Sequence, residues 1–122
     1  MSTQENKIFI RRYFDAFNQG GGAAVGNIIA DESLDEHIAF FESAFPGYQL
    51  AAKDMVAEGN KVVVDASFQG VHTGELMGMP PTGKSVDVPF IIIYHIANGK
   101  IVEHSMIADQ ASLMQQLGSV PA

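Results

Sequence analysis

The chain has 122 residues, 47% of them hydrophobic and 17% charged, and a formal net charge of −7. At about 100–200 residues per domain this length leaves room for one domain, so we expect a single domain over residues 1–122. The negative charge would repel nucleic acid and anionic membrane surfaces, which excludes them as expected partners, and the absence of cysteine excludes disulfides, thiolate metal sites and a cysteine nucleophile.

The first predicted element is a helix that begins near the start of the chain. Ser2 followed by Glu5 has the spacing of a capping box, and apolar residues then recur at helical intervals. Three glycines at residues 20–22 are expected to end this helix. A weaker helical pattern covers residues 23–30.

A third helix is predicted before the sequence changes its periodicity. Ser33 and Glu36 repeat the capping-box spacing, and an apolar stripe that includes Leu34 and Ile38 follows. Pro46 is expected to stop this helix, because proline cannot continue the hydrogen-bond ladder.

Four strands and a short helix are predicted for the rest of the chain. The first strand alternates apolar residues from Tyr48 to Val56, and the second has an apolar face that runs from Val62 to His72. The Asn98-Gly99 pair is a strong hairpin signal, so strands over Ser85–Ala97 and Lys100–Ala108 should pair around it, before a helix over Gln110–Leu117. Helices followed by an antiparallel meander indicate an α+β fold, in which N-terminal helices cover a curved sheet that forms a cone with a mouth.

The hairpin also predicts which side chains share a face of the sheet. If Ala97 lies opposite Lys100, then Phe90 pairs with Ile107, Ile92 with Ser105 and Val88 with Asp109. This face, with Tyr94, is expected to line a pocket. The opposite face carries further apolar residues together with His95, His104 and Met106, so we expect it to contact a second copy of the chain in a homodimer.

One motif is a misleading match to a phosphate-binding loop. Residues 78–85, GMPPTGKS, fit the pattern G-x-x-x-x-G-K-[ST]. A phosphate loop uses successive backbone N–H groups and opens a helix, whereas Pro80 and Pro81 have no N–H and this segment opens a strand. Nucleotide binding is therefore not expected.

Asp109 has two interpretations that the sequence leaves open. On an apolar strand face its carboxylate would be desolvated and its pKa raised, which suits acid–base catalysis near neutral pH. The residue also precedes a helix as an ordinary N-cap does, and caps favour the charged carboxylate.

The remaining candidates are histidines and aromatic residues. His72 ends a strand where a glycine-rich loop begins, so it lies either at a pocket rim or in the core. His37, His95 and His104 are interpreted as surface or interface residues, and the histidine spacings predict no metal site. Aromatic residues of the first helix, among them Tyr13 and Phe17, form either a pocket wall or part of the core.

Residues 68–118 resemble the SnoaL-like polyketide cyclases, also called ester cyclases, of the nuclear transport factor 2-like superfamily. The similarity lies in His72-Thr73-Gly74-Glu75, the loop at residues 78–83, the turn at residues 99–101 and the tail from Asp109. Matches at residues 44–46 and 58–59 extend it to about residues 34–118. This resemblance implies a cone-shaped barrel, commonly dimeric, with one pocket and no cofactor, and an intramolecular aldol reaction in which Asp109 is the acid–base residue.

The resemblance also implies a small apolar carbonyl or ester ligand. His72 and Tyr13 would then be neutral hydrogen-bond donors to an enolate. The expected catalytic and pocket residues are Asp109, His72, Tyr13, Phe17, Phe68, Phe90, Ile92, Tyr94, Ser105 and Ile107.

Two departures from the family keep a non-catalytic ligand-binding or dimerisation module open as the alternative. Ser105 stands where many members have tryptophan, and the chain has no tryptophan. The N-terminal third is also short, because residues 29–31 lead almost directly into the third helix. Epoxide hydrolysis ranks lower, since the only arginines are Arg11 and Arg12, which are expected on a solvated helix face.

The expected location is the cytoplasm. No apolar run approaches the ~20 residues of a membrane span, and the polar residues 1–7 are followed by no apolar signal core.

Overall fold

Residues 2–118 are described by a computed structural model, in which the helices lie against a four-stranded antiparallel sheet of order β1-β2-β3-β4. The elements are α1 (Thr3–Gly20), α2 (Gly22–Val25), a 3₁₀ turn (Gly26–Ile28), α3 (Glu32–Ala44), β1 (Gln49–Glu58), β2 (Lys61–Val71), β3 (Ser85–Ala97), β4 (Lys100–Ala108) and α4 (Gln110–Leu117). The curved, unclosed sheet and its helices confirm the predicted α+β cone. No helix within residues 2–118 is long and apolar enough to cross a membrane.

The cap of α1 is confirmed and that of α3 is corrected. The Glu5 N–H donates to Ser2 Oγ at 3.0 Å, and the Ser2 N–H donates to Glu5 Oε1 at 3.1 Å, which completes the capping box. In α3 the N-cap is Asp31, whose Oδ1 accepts the Leu34 N–H at 3.2 Å. The predicted box that begins at Ser33 is therefore wrong, because the extended backbone of the cap lies two residues earlier.

Between α1 and α3 the weaker helical pattern is realised only in part. One turn of α2 and the 3₁₀ turn replace the predicted helix over residues 23–30. Ile29 then forms an isolated parallel bridge with Ile101, and the Ala30 N–H donates to the Ile101 carbonyl at 2.8 Å. These contacts hold residues 29–30 beside β4, immediately before Asp31.

A bulge in β1 turns one residue that was predicted for the core, Val56, to the exposed face. The ladder with β2 shifts between Ala52 and Asp54, so Lys53 is an extra residue. Each residue after the bulge therefore changes face: Met55 faces the core and Val56 is 61% exposed. The neighbouring strand has no such shift, and its predicted apolar face is buried as far as His72.

A second bulge, at Val102, corrects the predicted register of β4. Ala97 lies opposite Lys100 and Ile96 opposite Ile101 as expected, but the next pair joins His95 to Glu103. The extra residue reverses the faces of the rest of the strand. The predicted pairs Phe90–Ile107 and Ile92–Ser105 are therefore wrong: Phe90 pairs with Ala108, and Ile92 with Met106.

This reversal changes which β4 residues point toward the helices. Ser105 is exposed and Ile107 is 79% exposed on the outer face of the sheet. His104 lies opposite Tyr94, on the face that the helices cover. The sequence had placed these three residues on the opposite faces.

Candidate functional site

A cavity of about 520 Å³ opens between α3, α4 and the helix-covered face of the sheet, and its walls are mainly apolar. The sheet contributes aromatic and aliphatic side chains, while α3 and α4 close the two sides. An apolar cavity with few polar groups is the usual form of a small-molecule site. Its lining includes Tyr13, Leu34, His37, Ile38, Phe41, Tyr48, Phe68, Phe90, Ile92, Tyr94, Met106, Ala108, Asp109, Leu113 and Met114.

The structure brings together some of the residues predicted for the pocket and not others. Those that line the cavity are Tyr13, Phe68, Phe90, Ile92, Tyr94 and Asp109. Phe17 is buried in the core instead, where its ring lies 5.0 Å from that of Tyr48. The β4 bulge turns Ser105 and Ile107 away from the cavity. The apolar stripe of α3 and the inner face of α4 supply walls that the face assignment had missed.

Three buried tyrosines place neutral hydroxyl groups around this cavity. Burial raises the pKa of Tyr13, Tyr48 and Tyr94 well above that of a free phenol. The rings of Tyr13 and Tyr94 also meet edge to face, with centroids 5.6 Å apart. These phenols therefore remain protonated at neutral pH, where they can donate hydrogen bonds to a carbonyl oxygen.

Asp109 is an exposed residue at the edge of the cavity and the N-cap of α4. Its Oδ1 accepts the Ser112 N–H at 2.9 Å. In residues 2–118 no group hydrogen bonds to the other oxygen, Oδ2. The cap interpretation of the sequence is thus realised, and it uses one of the two carboxylate oxygens.

His72 does not line the cavity, so of its two predicted places, a pocket rim and the core, it takes the core. The side chain is fully buried, and its Nδ1 lies 3.0 Å from Thr82 Oγ1 and accepts the Thr82 N–H at 3.2 Å. Its backbone N–H donates to the Lys84 carbonyl at 2.9 Å. His72 thereby ties the end of β2 to the loop before β3.

The motif that follows His72 also packs the loop against α3. The Thr73 and Gly74 N–H groups both donate to the Ala44 carbonyl, at 3.1 and 3.0 Å. A Cβ on Gly74 would lie 1.8 Å from the Ser43 carbonyl oxygen, so only glycine permits this approach. The residues that carry the family resemblance here have a structural role.

A cluster that the sequence interpretation missed lies beside the cavity. His104 Nδ1 is 2.7 Å from Asp31 Oδ2, and their side chains are 8% and 10% exposed. The His37 ring, which lines the cavity, lies edge to face with His104 at 6.2 Å. The cluster was missed because the β4 bulge, for which the sequence holds no local signal, moves His104 to the inner face. Across the described chain, no three metal-ligating side chains form a group that could hold a metal ion.

A second groove, of about 440 Å³, lies between α1 and β1. It is polar and lined by Lys7, Arg11, Arg12 and Lys53 among others, and the two arginines are exposed as expected. It lacks the enclosing apolar walls of the larger cavity. We therefore take the larger cavity as the candidate site.

The curved sheet and its covering helices have the nuclear transport factor 2-like fold. The sequence profile of the SnoaL-like polyketide cyclases matches residues 7–117, so the chain belongs to that family. No curated protein matches the chain.

Solved structures that resemble the chain include AclR from Streptomyces galilaeus, described as a candidate hydroxylase. It is 24% identical with a TM-score of 0.87, over 99% of this chain and 85% of AclR. TsrD from Streptomyces laurentii is 22% identical with a TM-score of 0.83, over 98% and 99% of the two chains. IdmH from Streptomyces antibioticus, a candidate polyketide cyclase, is 25% identical with a TM-score of 0.77, over 93% and 98%. The first two similarities show the fold.

Proposed function

We propose that the protein catalyses a cofactor-independent, aldol-type ring closure of a small apolar carbonyl or ester compound, with Asp109 as the acid–base residue. The observation that carries this proposal is the free second oxygen of Asp109 at the edge of an apolar cavity. Membership of the SnoaL-like polyketide cyclase family supports the reaction class.

In the proposed reaction one carboxylate moves a single proton. Asp109 removes a proton from the carbon between two carbonyl groups, and the electron pair of the C–H bond becomes an enolate. The enolate carbon then attacks another carbonyl group of the same folded molecule. A C–C bond forms, the carbonyl π electrons become an alkoxide, and the alkoxide takes the proton back from Asp109.

The cavity supplies two further contributions to this reaction. Its apolar walls would hold a flexible substrate folded, which brings the two reacting carbons together. The neutral Tyr13 hydroxyl would donate a hydrogen bond to the developing enolate oxygen.

The capping role of Asp109 is compatible with this chemistry. The bond from Ser112 to Oδ1 fixes the orientation of the carboxylate and leaves Oδ2 free to take a proton. Asparagine caps a helix about as well as aspartate does, so Asp109→Asn removes the base and keeps the cap.

Hydrogen exchange of a model compound tests the proposal without knowledge of the natural substrate. Ethyl benzoylacetate is an apolar β-keto ester, and nuclear magnetic resonance follows the replacement of its acidic protons by deuterium. The wild-type protein should exceed the spontaneous rate, and Asp109→Asn should lose about 100-fold or more of that excess while it still binds the compound. Equal exchange by wild type and Asp109→Asn would contradict the proposal.

The second candidate function is a ligand-binding module without catalysis. The exposure of Asp109 favours it, because a hydrated carboxylate is not activated by desolvation. This function predicts that both the wild-type protein and Asp109→Asn bind ethyl benzoylacetate and that neither exceeds its spontaneous exchange.

We also propose that the outer face of the sheet forms a homodimer interface. Val56, Val63 and Ile93 lie side by side across three strands, and Ile91 pairs with Ile107 in the next row. Ile107 is 79% and Ile91 43% exposed, so this face holds apolar surface that a second copy would cover.

Sedimentation equilibrium tests this interface. The wild-type chain should sediment as a dimer, and Ile107→Lys should shift it toward the monomer, because a buried lysine without a partner is costly. Asn98→Asp, a charge change on the exposed hairpin turn, serves as the control and should remain dimeric. A monomeric wild-type chain would refute the proposal.

A further inference from the structure

The cluster beside the cavity begins with a buried pair. Asp31 Oδ2 and His104 Nδ1 are 2.7 Å apart, and both side chains are about nine-tenths buried. Asp31 is held in place by its cap bond to the Leu34 N–H, and the Ala30 N–H bonds to β4 at Ile101. The pair therefore joins the start of α3 to the inner face of β4.

His37 lies between this pair and the cavity. Its ring stacks on Phe41 at 4.9 Å and meets the His104 ring edge to face at 6.2 Å. Its Nε2 is closed to solvent and has no hydrogen-bond partner among residues 2–118. Since the ring also lines the cavity, Nδ1 is the nitrogen that a ligand can reach.

The surroundings of His37 favour a neutral ring with a proton on Nδ1. Burial, and then the charge of His104, lower the pKa of His37. A proton on Nε2 would be a buried donor without an acceptor, which carries a desolvation penalty. Nε2 is unpaired in either neutral form, but only the form with Nδ1–H directs a donor toward the cavity, where a carbonyl oxygen can accept it.

We propose that His37 binds the carbonyl oxygen of the substrate through Nδ1–H, and that the His104–Asp31 pair is a positioning pair for its ring. This proposal rests on the proposed function, because it names His37 as the residue that binds the oxygen of the carbonyl compound on which Asp109 acts. His37 acts from α3 and Asp109 from the start of α4. The proton stays on Nδ1 throughout, so no proton is transferred to or from His37.

This role gives a use to the second ring nitrogen of a cavity-lining histidine whose Nε2 is buried without a partner in residues 2–118. As carbonyl becomes enolate or alkoxide, negative charge grows on the oxygen, and an oriented N–H donor stabilises that charge more than it stabilises the neutral carbonyl. A neutral imidazole does this without releasing a proton.

Paired variants of His37 test the assignment with ethyl benzoylacetate. His37→Leu removes the donor and keeps an apolar side chain, and it should lower the exchange rate at saturation by about 100-fold. His37→Gln keeps an N–H donor and should recover part of that loss. If His37→Leu exchanged at the wild-type rate at saturation while Asp109→Asn lost exchange, the role of His37 would be overturned. The proposed function would remain supported.

Nuclear magnetic resonance of isotope-labelled histidine provides a readout that does not depend on turnover. Saturation with ethyl benzoylacetate should shift the Nδ1 resonance of His37 and leave this nitrogen protonated. An unchanged Nδ1 resonance in a saturated protein would overturn the proposal, whether or not the protein catalyses exchange.

The positioning pair has its own spectroscopic test. His104→Phe removes a neighbouring charge that lowers the pKa of His37, so the titration midpoint of His37 should rise. An unchanged midpoint would show that the pair does not act on the His37 ring and would overturn its positioning role. His95→Phe, on the same hairpin but opposite Glu103, is the control and should not move it.

Discussion

Asp31 and Asp109 have the same local role and different surroundings. Each caps a helix through Oδ1, which accepts the N–H of the residue three positions later, at 3.2 Å in α3 and 2.9 Å in α4. Asp31 uses its second oxygen to bind His104, whereas the second oxygen of Asp109 has no partner in the described residues and Asp109 borders the cavity. A cap bond alone therefore does not decide whether an aspartate is structural or chemical.

The partner of the second carboxylate oxygen distinguishes the structural role of Asp31 from the acid–base role proposed for Asp109. Burial by itself would raise the pKa of Asp31, but the hydrogen bond from His104, the N–H of Leu34 and the His104 charge together lower it. A carboxylate held in this way is a poor base. The free oxygen of Asp109 is the one that can accept a proton from a substrate.

The largest stability effect is expected from Asp31→Ala. This change removes the α3 cap and leaves His104 buried without its partner, and the free energy of unfolding should fall by roughly 3 kcal/mol. Urea unfolding measures the loss. Asp31→Asn keeps the cap and should recover about 1 kcal/mol of it. Equal stability of Asp31→Ala and wild type would show that the pair contributes nothing.

A smaller effect is expected from Asp109→Ala, because only the α4 cap is lost. The free energy of unfolding should fall by about 1 kcal/mol, and Asp109→Asn should restore most of it. The same urea experiment compares the two aspartates directly. A loss at Asp109 as large as that at Asp31 would remove the distinction between them.

The smallest effect is a pH dependence of stability from the His37 cluster. The pKa of His37 is lower in the folded protein than its usual 6.5. The contribution of His37 to the free energy of unfolding is therefore complete above pH 6.5 and is lost as the pH falls toward the folded pKa. Unfolding at about pH 5 and about pH 8 should show this loss in wild type, and a smaller one in His37→Leu.

The pH dependence of Asp31 falls in a separate, more acidic range. Its folded pKa lies below the usual 3.8, so the advantage of wild type over Asp31→Asn is complete above that value and disappears as the pH falls through the folded pKa. An advantage that disappeared near neutral pH instead would contradict the structural role of Asp31.

Much of the fold was predictable because local signals agreed with tertiary packing. The capping box of α1, the alternation of β2 and the Asn98-Gly99 turn, whose residues have positive φ of 53° and 73°, all appear where the sequence places them. The turn fixed only the first two pairs of the β3–β4 hairpin. The sequence holds no local signal for the bulge at Val102, because nothing distinguishes Val102 from the other strand-forming residues around it.

The extra residue at Val102 also limited how much of the candidate site could be predicted from the sequence. Residues on β2 and β3, such as Phe68 and Phe90, were placed correctly on the cavity wall because their alternation has no interruption. His104 was assigned to the wrong face, which hid its pairing with Asp31 and its contact with His37. The cluster depends on contacts between distant parts of the chain, and those follow from packing and not from spacing.

The most direct test compares Asp109→Asn with Asp31→Asn in exchange and binding of ethyl benzoylacetate. We predict that Asp109→Asn binds the compound and loses its exchange, while Asp31→Asn, with its positioning pair weakened, binds the compound, loses part of the exchange rate at saturation and keeps the part that Asp109 catalyses without an oriented His37. Wild-type exchange in Asp109→Asn would contradict the assignment of the acid–base role to the aspartate with the free oxygen.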